Sequence, residues 1–539
     1  MEVREIDLSH SNIVTDYIEG NKNVSQLFDY SLHEPTSYEQ RAEELKNRTF
    51  KREELVEHLL STHRHLPYRD KVVENIHKLR DSNTMTIVGG QQAGLLTGPL
   101  FTIYKAISVI VLAKQQETRL STPIVPVFWI AGEDHDLEEI RYVYAHKNNR
   151  WTKHVLKQKE QGAQAASEIN LSKDFLVKWI DDLFRTLPET TYTRSLTETI
   201  RSFAECSTTY IDFFSQMMHW LFKEQGLILL DSNHPNLRRI ESEYFKEIIR
   251  DIEAVQSGHI EGLRKYQSLG YGTPIETEEE NAHLFIQVNE ERKRLDFSSD
   301  VFKVKGTEIQ YLKGDLLGIA SNSPEKLSNN VVSRPIMQEK LLPVLGFITG
   351  PGELAYWATL KPVFHSFNHK MPLVIPRLQM TYIPRHIDKW VEQFDFTCEQ
   401  FLKGQGEQLK ETWLSDINEY PINDEIERVK TEFQQSHRSI QELAMKMDET
   451  LYKLSKKNYE KIEHQLTFLE KKMNHFVEER HALVLSKFDE ANHCLFPLNR
   501  LQERVAHPIL LLNLIGEKGL SRIMEMNFEL NGRHKVIIL

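Results

Sequence analysis

Cysteine is nearly absent from this chain. Cys206, Cys398 and Cys494 are the only three in 539 residues. They lie far apart and no Cys-x-x-Cys occurs, so nothing supports a structural zinc site or a disulfide framework. That usage fits a reducing compartment, and a cytoplasmic location is expected. The opening MEVREIDLSHS lacks the basic and apolar regions of a signal peptide. No uninterrupted apolar run approaches about 18 residues, so no membrane-spanning helix is expected. Basic surplus is missing too. The 67 Lys and Arg are outnumbered by 78 Asp and Glu, a net charge of −11, which argues against a dedicated nucleic-acid binder.

What remains has the composition of an ordinary globular protein, 40% hydrophobic and 27% charged. At about 150 residues per domain the length suggests roughly three to four domains. The most informative stretch is TMTIVGGQQAGLLTGPLFTIYKAISVIV, beginning at Thr84. Met85 to Val88 is a short apolar run of strand length. A glycine-rich turn follows, with Gly94 and Gly98 inside it. Pro99 then opens a helix whose apolar face repeats at Leu100, Ile103, Tyr104, Ile107 and Val111. Such a turn brings backbone N–H groups close to an anion. It is equally what a tight strand-to-helix corner needs. The spacing matches neither the dinucleotide fingerprint nor the Walker loop. Gln91, Gln92 and Thr97 add uncharged hydrogen-bonding groups suited to a polar substrate.

A second strand, IVPVFWI from Ile124 to Ile130, is apolar throughout, as expected for a strand covered on both faces. It runs into Glu133-Asp134-His135-Asp136. A histidine among carboxylates can accept or donate a proton near neutral pH. The same carboxylates can hold Mg²⁺ when a phosphate shares the metal. An acid-rich helix start is the structural alternative. Further strands are expected at Leu227–Leu230, Val344–Thr349 and Leu373–Pro376. Asp231 closes the first of them and reads best as the cap of the next helix. The second runs into Gly350-Pro351-Gly352-Glu353, another glycine-rich turn, where Glu353 either serves the helix dipole or holds a substrate ammonium. The third ends at Arg377. Arg334, in a loop before it, can pair with a carboxylate or phosphate. In open parallel sheets ligands bind beyond the carboxyl ends of the strands. One shared pocket is therefore the economical expectation.

The expected organisation is an α/β core over residues 1–384 with two insertions, about 142–224 (helical) and about 257–320 (small and β-rich). Residues 385–498 read as a coiled coil, an antiparallel hairpin, and 499–539 as a return to the core. The hairpin stripe runs through Ile426, Val429, Phe433, Ile440, Leu443, Met447 and Leu454, with Ser436 and Thr450 in two of its slots. Its length suggests self-association.

GGQQAGLLTGPLFTIYKA, PVFWIAGEDHD, SPEKLSNNVVSRP, GFITGPGELAYWA and LNRLQERV together resemble the BshC family, the cysteine-adding enzymes of bacillithiol biosynthesis, over essentially the whole length. The resemblance implies a Rossmann-like core with connective-peptide insertions and a coiled-coil domain that dimerises. It implies a ligase, dependent on ATP or ADP with Mg²⁺ an option and no structural metal, that joins cysteine to glucosaminyl-malate through an amide. The family core is similar to class I aminoacyl-tRNA synthetases. Where those carry His-x-Gly-His, this chain has Thr97-Gly98-Pro99-Leu100, and no Lys-Met-Ser-Lys-Ser loop is present. Under the ligase reading Gly94, Gly98, Gly350 and Gly352 hold an anion or nucleotide. Asp134, His135 and Asp136 take the amine and its proton. Gln91, Gln92, Thr97, Arg334, Glu353 and Arg377 bind substrate. The rival readings are a nucleotidyltransferase-like protein with another small substrate, and a non-enzymatic scaffold.

Overall fold

The computed structural model describes residues 1–8, 11–134, 136–147, 150–158 and 165–539. The chain forms two units, residues 1–382 with 501–539, and residues 383–500.

The first unit is built on a five-stranded parallel sheet. Its strands are β1 (Met85–Gln91), β2 (Ile124–Ile130), β3 (Ile228–Asp231), β4 (Val344–Thr349) and β5 (Leu373–Pro376), in spatial order β3-β2-β1-β4-β5. This is the doubly wound order, and the direction of winding reverses between β1 and β4. Alternation along the strands explains why both faces must be covered. Ile87, Phe128, Ile348 and Ile375 face one hydrophobic core, together with Ile103 and Ile107 of helix α1 (Leu100–Leu120). Val88, Val127, Trp129, Phe347 and Val374 face the other, with Leu55, Leu59 and Phe245 from helices across the sheet. The sheet is buried on both faces over most of its length, so its strands carry near-continuous apolar runs rather than an alternation, with polar Gln91 and Asp231 at their partly exposed ends.

Several details differ from the sequence expectation. β1 does not stop at Val88. It continues through Gly89 and Gly90, which pair with Phe128 and Trp129. The insertion expected to be helical from about 142 opens instead with an antiparallel hairpin, Tyr142–Lys147 against Arg150–Val155. There Val143 and Ala145 are buried between outward-facing tyrosines, a period of two rather than 3.6. Three helices follow, Lys173–Phe184, Thr193–Cys206 and Tyr210–Leu221. The β-rich insertion is a five-stranded antiparallel sheet that takes in Leu327–Asn329 as its last strand. The polar N-terminal segment contains a strand, Glu2–Ile6, paired with the C-terminal His534–Ile538. Arg334 sits in the first turn of a helix, Ser333–Leu341, not in a loop.

The second unit holds two long antiparallel helices, Ile422–Met447 and Glu449–Arg480, joined at Asp448. Their pairing is marked by Lys430–Glu470 at 2.7 Å and by Phe433 stacked on Tyr459 with ring centroids 5.5 Å apart. The buried positions differ from the expected stripe. His437 occupies the seam, bonded to Asn458, whereas Ser436 is exposed. Ile440, Leu443, Met447 and Leu454 turn outward and are 56–67% exposed. A two-helix hairpin buries only a narrow seam, and a period of 3.5 drifts relative to a straight helix. The hairpin is rooted on an aromatic cluster in which Trp390 meets Phe488 edge-on at 4.9 Å and also contacts Phe394, Phe396 and Phe401.

His259 is fully buried, edge-on to His283 at 4.7 Å, and neither of its ring nitrogens has a partner. Burial pushes its pKa down to about 4. The folded form is therefore neutral where the unfolded form begins to protonate, so stability is lost as pH falls below about 6.5. His259→Leu is expected to make the protein about 1–2 kcal/mol less sensitive to a drop from pH 7 to pH 5, read by urea denaturation at both values.

Candidate functional site

The close approach of α1 to the sheet shapes the site. A Cβ on Gly89 would meet Val109 Cγ2 at 2.8 Å and Lys105 Cγ at 3.4 Å. A Cβ on Gly90 would meet the Trp129 carbonyl oxygen at 2.4 Å. Glycine at both positions lets α1 and β2 close tightly on β1, and Lys105 of α1 reaches the end of that strand. Its Nζ donates to the Gly90 carbonyl at 2.8 Å, to Gln91 Oε1 at 3.2 Å and to the Glu353 carboxylate. Lys105 is only 2% exposed. Burial lowers its pKa from the usual lysine value, against the pull of Glu353.

Glu353 lies in the short helix Pro351–Trp357 that follows β4. The same carboxylate oxygen that meets Lys105 also accepts the Gly350 N–H at 2.8 Å. Arg334 Nη2 lies 3.9 Å from the other oxygen and donates to the Tyr356 hydroxyl. The Arg334 Nε is buried without a partner. Burial disfavours the Arg334 charge, but Tyr356 and the carboxylates of Glu353, Glu133 and Asp134 outweigh it and raise its pKa. Arg377 is committed differently. Its guanidinium forks onto Glu503 at 2.9 and 2.6 Å, and Nη1 also donates to the Leu378 carbonyl. Arg377 in turn holds Glu503 below the usual carboxylate range, although burial pushes the other way.

Above this floor lies an open cleft of about 320 Å³ at the carboxyl ends of β1, β2 and β4. Of the residues singled out in the sequence, Gln91, Gln92, Asp134, Arg334, Gly352, Glu353 and Arg377 line it. Asp134 is held by Gln92, whose Nε2 donates to Oδ2 at 2.6 Å, and by the Asp136 N–H on Oδ1. Phe101, Tyr356 and the exposed Arg504 complete much of the wall.

The remaining candidates lie elsewhere. Thr97 is fully buried and its hydroxyl has no partner. It belongs to a left-handed corner in which Leu96, Thr97 and Gly98 all have positive φ. Gly94 and Gly98 pack on each other; a Cβ on Gly94 would lie 2.9 Å from Gly98 Cα. The Gly350 N–H is taken by Glu353. Asp136 is exposed and outside the cleft lining. His135 lies outside the described residues. Asp231 does not cap the following helix. It accepts the Asn233 N–H, and the His234 side chain makes the cap. Burial and nearby Glu133 push the Asp231 carboxyl up to about 7, with the Asn233 N–H opposing. No cluster of three or more His, Cys, Asp or Glu that could hold a metal ion occurs among the described residues.

Lys105, Glu503 and Arg504 were not singled out from the sequence. Lys105 had a legible signal, a lone cation between Tyr104 and Ala106 in an otherwise apolar helix face. Glu503 and Arg504 lie within the LNRLQERV motif, but nothing in that motif shows that the segment returning from the distant hairpin reaches this cleft.

Fold and site define a Rossmann-like α/β protein with a polar, arginine-bearing cleft at the switch point of its sheet and a separate coiled-coil unit. Residues 1–378 match the family description "Bacillithiol biosynthesis BshC, N-terminal Rossmann-like domain" and residues 380–539 match its C-terminal coiled-coil domain. The chain belongs to the BshC family. It is 41% identical to a protein of Halalkalibacterium halodurans over the full length of both chains. It is 42% identical to one of Shouchella clausii, covering 98% of this chain and 97% of the other. Both relatives carry the name "Putative cysteine ligase BshC".

Arg377→Met is expected to cost about 3–5 kcal/mol in urea denaturation, because it strands Glu503 as an uncompensated buried charge. Arg377→Met combined with Glu503→Leu should recover most of that loss.

Proposed function

We propose that this chain is a ligase of bacillithiol biosynthesis that joins L-cysteine to glucosaminyl-malate through an amide bond, in the cytoplasm and with ATP or ADP. The observation that carries the reading is the cleft at the switch point, where side chains from the ends of β1, β2, β4 and β5, from the helix before β4 and from the returning C-terminal segment converge. Its volume falls in the range of small-molecule sites.

Arg334 takes a carboxylate of the malate moiety. It lines the cleft with Nη2 on the Tyr356 hydroxyl, whereas Arg377 has both terminal nitrogens engaged by buried Glu503. Arg504 at the rim adds a second cation. Asp134, with His135 beside it in sequence, takes the proton lost by the amine as the amine nitrogen bonds to the cysteine carboxyl carbon and one carbon–oxygen bond of that carboxyl breaks, its oxygen departing with the activating phosphoryl or nucleotidyl group. Gln91 and Gln92 orient the polar substrate. A bound nucleotide would supply the activation of that carboxyl group. Arg334 and Arg504 are the residues placed to hold its phosphates, with Asp134 as a carboxylate for any accompanying Mg²⁺. Gly352, with open space where a Cβ would stand, lets a ligand approach the backbone.

The outward-facing stripe of Ile440, Leu443, Met447 and Leu454 supports a homodimer formed through the hairpin. Leu443→Glu with Leu454→Glu should give a monomer in analytical ultracentrifugation while helical content is retained.

Three measurements test the ligase. Cysteine, glucosaminyl-malate and the nucleotide should each raise the thermal midpoint; a flat response to ATP, ADP, cysteine and glucosaminyl-malate favours a scaffold instead. Arg334→Met should raise KM for glucosaminyl-malate about 10–100-fold. Asp134→Asn should lower kcat about 100-fold or more. Bacillithiol formation at near wild-type rate by folded Asp134→Asn would remove that residue from the mechanism.

A further inference from the structure

We propose that Lys105 is a positioning residue for this cleft: it ties the end of β1 to the Glu353 turn across the switch point and so fixes two cleft-lining side chains at once. The inference rests on the cleft being the reaction site.

Three observations carry it. First, Lys105 spends its Nζ on groups from two different segments. Gly90 and Gln91 belong to β1, and Glu353 follows β4. β1 and β4 are neighbours with Ile348 opposite Gly89, so the contact bridges the point where the chain winding reverses. Second, Gln91 and Glu353 both line the cleft, whereas Lys105 is buried beneath it. It therefore acts on substrate only through them. Third, the helix carrying Lys105 lies close enough on β1 to deliver this side chain to the strand end: a Cβ on Gly89 would come within 2.8 Å of Val109 of the same helix, with the Lys105 stem in contact at 3.4 Å.

The ammonium of Lys105 also takes the part that the sequence suggested for a substrate ammonium at Glu353. That carboxylate has internal partners in Lys105 and the Gly350 N–H, with Arg334 close by. Its place in the cleft is as a fixed wall, locked from below.

A buried ion pair is costly to break on one side only. Lys105→Met keeps the length of the stem and removes the bridging nitrogen. With wild-type protein active, this variant should lose about 100-fold in kcat, with KM for both substrates changed less than about threefold, because misplacement by about an ångström has that effect on rate. Glu353→Gln and the double variant complete a cycle. If the pair acts as a unit, the double variant should be no slower than the worse single one, rather than showing the product of the two effects. Multiplied effects, or a Lys105→Met enzyme with unchanged kcat, overturn the proposal.

Hydrogen exchange supplies an arm that needs no turnover and no folded Lys105 variant. In Glu353→Gln, amides at 90–92 should exchange about tenfold faster although the substitution lies on another segment. Faster exchange confined to residues 350–357 overturns the coupling. A wild-type protein that makes no amide product would remove the proposed reaction instead, and the exchange result would still decide whether Lys105 joins the two segments.

Discussion

The architecture of the site follows from how tightly α1 lies on β1. Val109 of the helix at Gly89, and Trp129 of the neighbouring strand at Gly90, leave no room for a Cβ. This contact has two consequences. It lets a charged side chain cross the hydrophobic layer with its nitrogen delivered to the strand ends. It also keeps β1 straight and paired with β2 as far as Gln91, opposite Ile130. The loops after β1 and β2 therefore start level with each other. Asp134 comes within hydrogen-bond reach of Gln92 because of that shared starting line.

Glycine-rich turns attract an anion-binding reading because a backbone free of Cβ groups can approach a phosphate. Here the glycines divide by use. Gly89 and Gly90 admit neighbours of the protein's own chain, Gly94 admits Gly98, and Gly98 takes a positive φ of 75°. Gly352 alone among the candidates both lines the cleft and faces open space. Sequence spacing cannot separate these uses, since each requires the same absence of a side chain. What separates them is what stands where the Cβ would be, and that is set by elements far away in the chain.

The parallel strands were legible because their burial on both faces leaves unbroken apolar runs such as IVPVFWI and VLGFIT. The loops after them were legible as polar strand ends. Arg334 and Arg377 looked interchangeable as free cations, and the structure distinguishes them through one residue, Glu503, contributed after the coiled-coil unit. The hairpin's long helices were visible in their periodicity. Its seam was not, because His437 and Asn458 form a polar pair that an apolar template skips. The hairpin at Tyr142–Lys147 was missed because its period-two signal is short beside the three helices that follow.

The end of β1 and the glycine-rich segment following it contribute Gln91, Gln92 and Phe101 to the cleft wall but no cation. The structure carries its cleft-lining cations on other segments. Arg334 comes from the helix before β4, Arg377 from the end of β5 and Arg504 from the returning C-terminal segment. A cation on the first turn moves with that turn. Cations borne on three separate elements face one cleft only while those elements keep their mutual spacing. Arg377 and Glu503 maintain one such spacing, between β5 and the returning segment, through a buried bidentate pair. Lys105 and Glu353 maintain another, between β1 and the turn after β4. The two pairs lie on opposite flanks of β4. Together they brace the strand whose following turn supplies Glu353 and Gly352 to the cleft, so that ion pairs, and not apolar contacts alone, lie beneath its polar lining.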